Sequence, residues 1–213
     1  MTNLSVRIGP DELRRIQDEL VVWRSPEEFA AVWESIAERV PPETLFNQGG
    51  LAFLRDAYVA SVFGTTSGLP ISKIHLVDDQ WPDFEIKLSN GIVQQFEMVE
   101  ADQPGRRRGV EYLGVRDDEV DLENVDLEPL PTPKEAVQNT CDWLRNAVAR
   151  KLAKSYSDPV NLAIYLNLED WGGVHAQVIA SFAGATRAGT GRFESIWVIW
   201  KKHAYRVHQT DPD

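Results

Sequence analysis

Apolar residues recur at helical spacing through the first quarter of the chain and then give way to strand-like alternation, so helices should precede a sheet. Behind Pro10, DELRRIQDELVVW has the pattern of an amphipathic helix. A second helix is predicted over EEFAAVWESIAERV, behind Ser25 as cap and Pro26 as first-turn proline, and Pro41-Pro42 should end it. A third is expected over about residues 43–63; it is apolar on more than one side, as a helix packed between other elements would be. After the turn cluster from Gly64 to Pro70, β-branched and apolar residues predict strands over about 71–77, 83–88 and 92–99, with Ser89-Asn90-Gly91 as a hairpin signal.

Downstream lie the basic stretch PGRRRG, the acidic connector Asp117 to Glu128, and three prolines, Pro129, Pro131 and Pro133. A long helix is predicted over about 134–156, with Ala136, Val137, Cys141, Leu144, Val148 and Leu152 on its apolar side. The nearly unbroken apolar run VNLAIYLNL predicts an interior strand covered on both faces. HAQVIASFAGA has the pattern of a short helix, and FESIWVIWKK followed by AYRVHQ of one or two further strands. The expected class is α/β, with a mixed central sheet flanked by helices and the long helix as a right-handed crossover.

At 213 residues one core suffices, and 43% hydrophobic with 26% charged residues gives no reason to split the chain, so a single domain over 1–213 is expected. The N-terminus lacks an apolar leader core, and runs such as Ile196 to Trp200 are too short to cross a bilayer; a cytoplasmic protein without a membrane partner is expected. One cysteine excludes an internal disulfide and a cysteine-based zinc site, and Cys141 reads as a small buried hydrophobe. His75, His175, His203 and His208 have no zinc-type spacing. A formal charge of -11 argues against nonspecific coating of nucleic acid, so any contact must be local. No P-loop, dinucleotide glycine pattern, serine elbow or Cys-His nucleophile pair is present in the sequence.

Candidate chemistry centres on the hairpin, which admits two registers. A two-residue Asn90-Gly91 loop would mix Phe96 and Met98 with Asp83, Glu85 and Lys87 on one face. A three-residue Ser89-Asn90-Gly91 loop, with Gly91 left-handed, instead gathers Phe84, Ile86, Leu88, Ile92, Phe96 and Met98, spoiled only by Gln94. The second is preferred, because it segregates apolar from polar side chains. It puts Asp83 across from Glu97, beside Glu85, Lys87 and Gln95, with Cβ atoms roughly 5 Å apart. Two facing carboxylates repel by on the order of 1 kcal/mol unless a cation intervenes. Mg²⁺ or Mn²⁺ would suit such all-oxygen ligands. Arg106, Arg107 and Arg108, between Gly105 and Gly109, are candidates to grip phosphate oxygens, as against a solvated loop that offsets the acid downstream. Arg145, Arg150, Lys151 and Lys154 make one half of the crossover helix basic.

Pro82-Asp83, with Glu97 on the next strand, resembles the motif of the PD-(D/E)XK nuclease-like (restriction endonuclease-like) superfamily, whose core runs α-β-β-β-α-β. The resemblance implies a helical extension over 1–42, a nuclease-like core over 43–168 and an α/β extension over 169–213. It also implies a metal-dependent nuclease acting on DNA or RNA, with Asp83 and Glu97 as metal ligands and Asp56 as an added carboxylate from the first core helix. The family's lysine, two residues after the acidic one, is replaced here by Val99; relocated lysines occur in that family, and Lys87 or Gln95 could fill the role. The alternative is a catalytically inactive relative that acts as a binding or regulatory protein, with a protein partner or a second copy of itself. The run FEMVEADQPGRRRGVEY also resembles a family of small bacterial proteins to which no activity attaches.

Overall fold

The computed structural model describes residues 7–79, 81–106, 131–156, 160–168 and 175–209. Helix α1 (Pro10–Leu20) and helix α2 (Pro26–Arg39) both carry proline in the first turn, where no backbone donor is needed. In α2 the Glu28 N–H donates to Ser25 Oγ at 3.2 Å and the Ser25 N–H donates to the Glu28 carboxylate at 3.0 Å, a reciprocal capping box.

The single helix expected over 43–63 is two, α3 (Pro42–Asn47) and α4 (Phe53–Thr66). Gly50, at φ +86°, adopts the left-handed backbone that side chains disfavour, and the Gly49-Gly50 pair has too little helix propensity to carry the helix through.

Strands β1 (Ile71–Leu76), β2 (Phe84–Leu88) and β3 (Val93–Ala101) form the expected antiparallel meander. Phe84 pairs with Phe96 and Glu85 with Gln95, the register of the three-residue loop. Gly91, at φ +88°, donates to the Leu88 carbonyl, and Leu88 donates to the Ile92 carbonyl at 2.8 Å. Ile92, expected on the apolar face, is instead 55% exposed, one residue ahead of the start of β3.

Helix α5 (Pro133–Leu152), again opened by a capping box (Thr132 and Glu135), crosses to β4 (Asn161–Leu166), which lies parallel to β3. Helix α6 (His175–Thr186) precedes β5 (Ser195–Trp200), parallel to β4, and a turn at Lys201-Lys202 leads to antiparallel β6 (His203–Gln209). The result is a six-stranded mixed sheet in the order β1-β2-β3-β4-β5-β6.

Each face of the sheet has its own core. On one, α1, α2 and α4 cover Phe84, Ile86, Phe96, Ala163 and Trp197; Phe63 of α4 lies 5.8, 4.7 and 5.0 Å from the rings of Phe84, Phe96 and Trp197. On the other, α5 and α6 cover Val99, Leu162, Ile164 and Val198 with Leu144, Val148 and Phe182. Successive β4 residues therefore point into different cores, which is why that strand reads as an unbroken apolar run.

The starts of three strands are tied by one polar network. Asn161 Nδ2 donates to the Gln95 carbonyl at 3.0 Å, Ser195 Oγ donates to Asn161 Oδ1 at 2.6 Å, and Trp197 Nε1 donates to Ser195 Oγ at 2.8 Å. Among the described residues no helix is long and apolar enough to cross a membrane.

Candidate functional site

The register that buries Phe84 and Phe96 on one face sends Glu97 to the other and leaves Asp83, one residue ahead of β2, beside it. The Asp83 N–H donates to the Phe96 carbonyl at 3.0 Å, and its carboxylate accepts the Met98 N–H, so this side chain is fixed from two directions. Burial pushes the Asp83 carboxyl above its ordinary range; the Met98 hydrogen bond opposes the shift and the Glu97 charge adds to it.

Glu97 is 1% exposed. Its Oε1 accepts the ammonium groups of both Lys151 and Lys154, the latter at 3.0 Å, while its Oε2 is buried without a hydrogen-bond partner. Lys151 comes from α5, on the buried stripe Leu144, Ala147, Val148, and is itself 8% exposed. An apolar side chain would be expected there, and the lysine is accommodated because its ammonium meets the Glu97 carboxylate. Lys154, just past the helix end, is more open, and its hydrogen bond to Glu97 raises its ammonium above the ordinary lysine range.

Asp56, in the first turn of α4, completes the group. Its carboxyl is pushed up to about 7, first by burial and then by the Asp83 charge; Arg55 and Lys151 oppose the shift, and Glu97 adds to it. Asp56 and Asp83 line a cleft of about 310 Å³ together with Asp78, Asp79, Gln17 and Phe53.

Next to the carboxylates, the rings of Trp81 and Tyr156 lie 6.1 Å apart, and Trp81 Nε1 and the Tyr156 hydroxyl are buried without partners. Burial, followed by the Glu97 and Asp83 charges, keeps the Tyr156 hydroxyl protonated well above the ordinary tyrosine range.

Asp83, Glu97 and Asp56 thus share one electrostatic neighbourhood, and Lys87 and Gln95 do not join it. Lys87 is exposed near the far end of β2, four residues and roughly 13 Å along the strand from Asp83. Gln95 Nε2 donates to Glu85 Oε1 at 3.0 Å, and Glu85 Oε2 in turn lies 3.1 Å from His75 Nε2. Arg106 lies 3.4 Å from Asp102. Arg107 and Arg108 fall outside the described residues.

Among the described residues no three His, Cys, Asp or Glu side chains converge closely enough to cage a metal ion by themselves. Mg²⁺ is commonly held by one or two carboxylates, several waters and substrate phosphate, and the carboxylates that could take part in such a set here are Asp56, Asp83 and Glu97. No family model matches the chain, and neither does any curated protein or solved structure.

Proposed function

We propose that this chain hydrolyses phosphodiester bonds of DNA or RNA with a divalent metal ion, as a divergent member of the PD-(D/E)XK nuclease-like superfamily. The observation that carries the reading is the electrostatic coupling of Asp56, Asp83 and Glu97, with a buried lysine, Lys151, supplied to Glu97 by the crossover helix. The element order α4-β1-β2-β3-α5-β4 and the parallel β3–β4 pair accord with it.

Asp83 and Glu97 would hold Mg²⁺ or Mn²⁺, with Asp56 as the third carboxylate. Held there, the ion would supply Lewis-acid polarisation of a phosphoryl oxygen and a water that is a better nucleophile near neutral pH. Lys151, in place of a lysine at Val99, is the cation able to leave Glu97 and orient the attacking water or neutralise the phosphate. Lys154 and Arg150 extend positive charge along the end of α5 toward a phosphate backbone, a local exception to the -11 overall.

Purified protein incubated with single- and double-stranded DNA and RNA plus Mg²⁺ or Mn²⁺ should cleave at least one of them, and Asp83→Ala, Glu97→Ala and Lys151→Met should each abolish cleavage. No cleavage in any arm, or cleavage indifferent to Asp83→Ala, refutes the reading. One observation favours a binding or regulatory protein without catalysis: Glu97 is nearly inaccessible beneath two lysines. On that reading Mg²⁺ uptake would not depend on Asp83 or Glu97, and isothermal titration separates the two.

A further inference from the structure

The connection between α1 and α2 runs along the outer edge of the sheet, against β1. There the Arg24 N–H donates to the Ile74 carbonyl at 3.1 Å and the Ile74 N–H donates to the Arg24 carbonyl at 2.8 Å. One residue on, His75 points to the other face of the sheet and reaches the same connection through its side chain. Its Nδ1 lies 3.0 Å from the Val21 carbonyl oxygen and its Nε2 lies 3.1 Å from Glu85 Oε2, while the Trp23 ring stands 3.8 Å from the imidazole, centroid to centroid. The His75 and Glu85 side chains are only 14% and 19% exposed, and Gln95 Nε2 donates to the other Glu85 oxygen at 3.0 Å.

A carbonyl and a carboxylate can only accept, so the ring satisfies both at once only when each of its nitrogens carries a proton. The Trp23 ring against it favours the same charged form. A neutral ring has a single N–H and must give up one acceptor. Glu85 is the one it keeps, because a hydrogen bond to an ionised group is roughly twice as strong as one to a neutral carbonyl. The bare Nδ1 then faces the Val21 oxygen lone pair to lone pair, and that contact is lost. The other charges around the ring are Lys73 on its own strand, Lys87 two residues from Glu85 on β2, and Arg24 in the connection, whose guanidinium lies 3.4 Å from the Glu19 carbonyl. Histidine is the one residue type among these that changes charge near neutral pH.

We propose that His75 is a proton-operated latch on the α1–α2 connection: doubly protonated it ties Val21 to the sheet, and on losing one proton it stays on Glu85 and releases Val21. The Val21 N–H closes the end of α1 by donating to the Gln17 carbonyl at 3.1 Å, and Gln17 lines the cleft that holds Asp56 and Asp83. The latch therefore acts on one wall of the cleft, tightening it as pH falls and loosening it as pH rises. It is independent of the chemistry proposed for the cleft, since its contacts are to Val21, Glu85 and Trp23 alone.

The experiment is an NMR titration of the full chain between about pH 5 and pH 9, the range that brackets histidine ionisation. It reads the His75 ring nitrogens, the Val21 carbonyl carbon, and the exchange protection of the Val21 and Arg24 amides corrected for intrinsic exchange. Two protonated ring nitrogens at the acid end, loss of the Nδ1 proton first, and a Val21 carbonyl signal that follows the ring are expected. Amide protection should fall by about 5-fold once the ring is neutral, the equivalent of one hydrogen bond. His75→Gln cannot take up a proton and should show no step at the Val21 carbonyl. A step that persists in this variant belongs to Asp56, raised to about 7, and overturns the latch. A ring that titrates while the Val21 carbonyl stays still, or that loses its Nε2 proton first, overturns it as well. Should His75→Gln fail to fold, Asp56→Asn takes its place: a Val21 step retained there supports the latch, and a step lost there overturns it.

Discussion

Asp56→Asn tests the electrostatics of the site without any assumption about catalysis. The Asp56 carboxyl is raised from 3.8 to about 7, so the folded protein binds its proton more tightly than the unfolded chain does. Stability from this group is therefore fully present below about pH 4, declines as pH rises, and is gone above about pH 7. At about 1.4 kcal/mol per pH unit, this interval corresponds to on the order of 4 kcal/mol. Asparagine keeps the shape and never ionises. Urea denaturation of both proteins from pH 4 to pH 8 should find them of similar stability at the acid end, with the variant pulling ahead by a few kcal/mol at the alkaline end. A difference that does not change with pH, or a wild type that gains on the variant as pH rises, would refute the assignment of burial and Asp83 repulsion as the cause.

Three other expectations follow from the packing. Lys151→Ala should destabilise by about 3 kcal/mol in denaturant titration, because it strands a buried carboxylate with only Lys154, whereas Lys154→Ala, at 56% side-chain exposure, should cost less than about 1 kcal/mol. Phe63→Ala should cost about 3 to 5 kcal/mol by the same measure, since the ring fills the space among Phe84, Phe96 and Trp197. Asn161→Ala should cost about 2 kcal/mol and loosen the starts of β3, β4 and β5 together, seen as faster amide exchange there, because it leaves the Gln95 carbonyl and the Ser195 hydroxyl short of their partners.

The chain alone determined the elements and the hairpin register, for reasons that act over a few residues. Prolines and capping serine or threonine fixed helix starts, and the alternation around Gly91 left one register that segregates Phe84 and Phe96 from Asp83 and Glu97. The division near Gly49-Gly50 was visible in composition, yet the apolar residues on both sides mask it, since periodicity continues across a break that only the left-handed Gly50 reveals.

Tertiary structure alone decided which groups meet. Lys151 looks in sequence like the other basic residues of a solvated helix end, and only the packing of α5 against β3 buries it on Glu97. Asp56 was one carboxylate in a helix; burial in the folded protein, and then the proximity of Asp83, 27 positions later in the chain, raise it. Lys87 and Gln95 shared the predicted face with Asp83, but distance along the strand removed the first and Glu85 claimed the second. Local backbone preference sets where side chains point, whereas the low-dielectric contact that changes their charge depends on segments brought together from far apart in the chain.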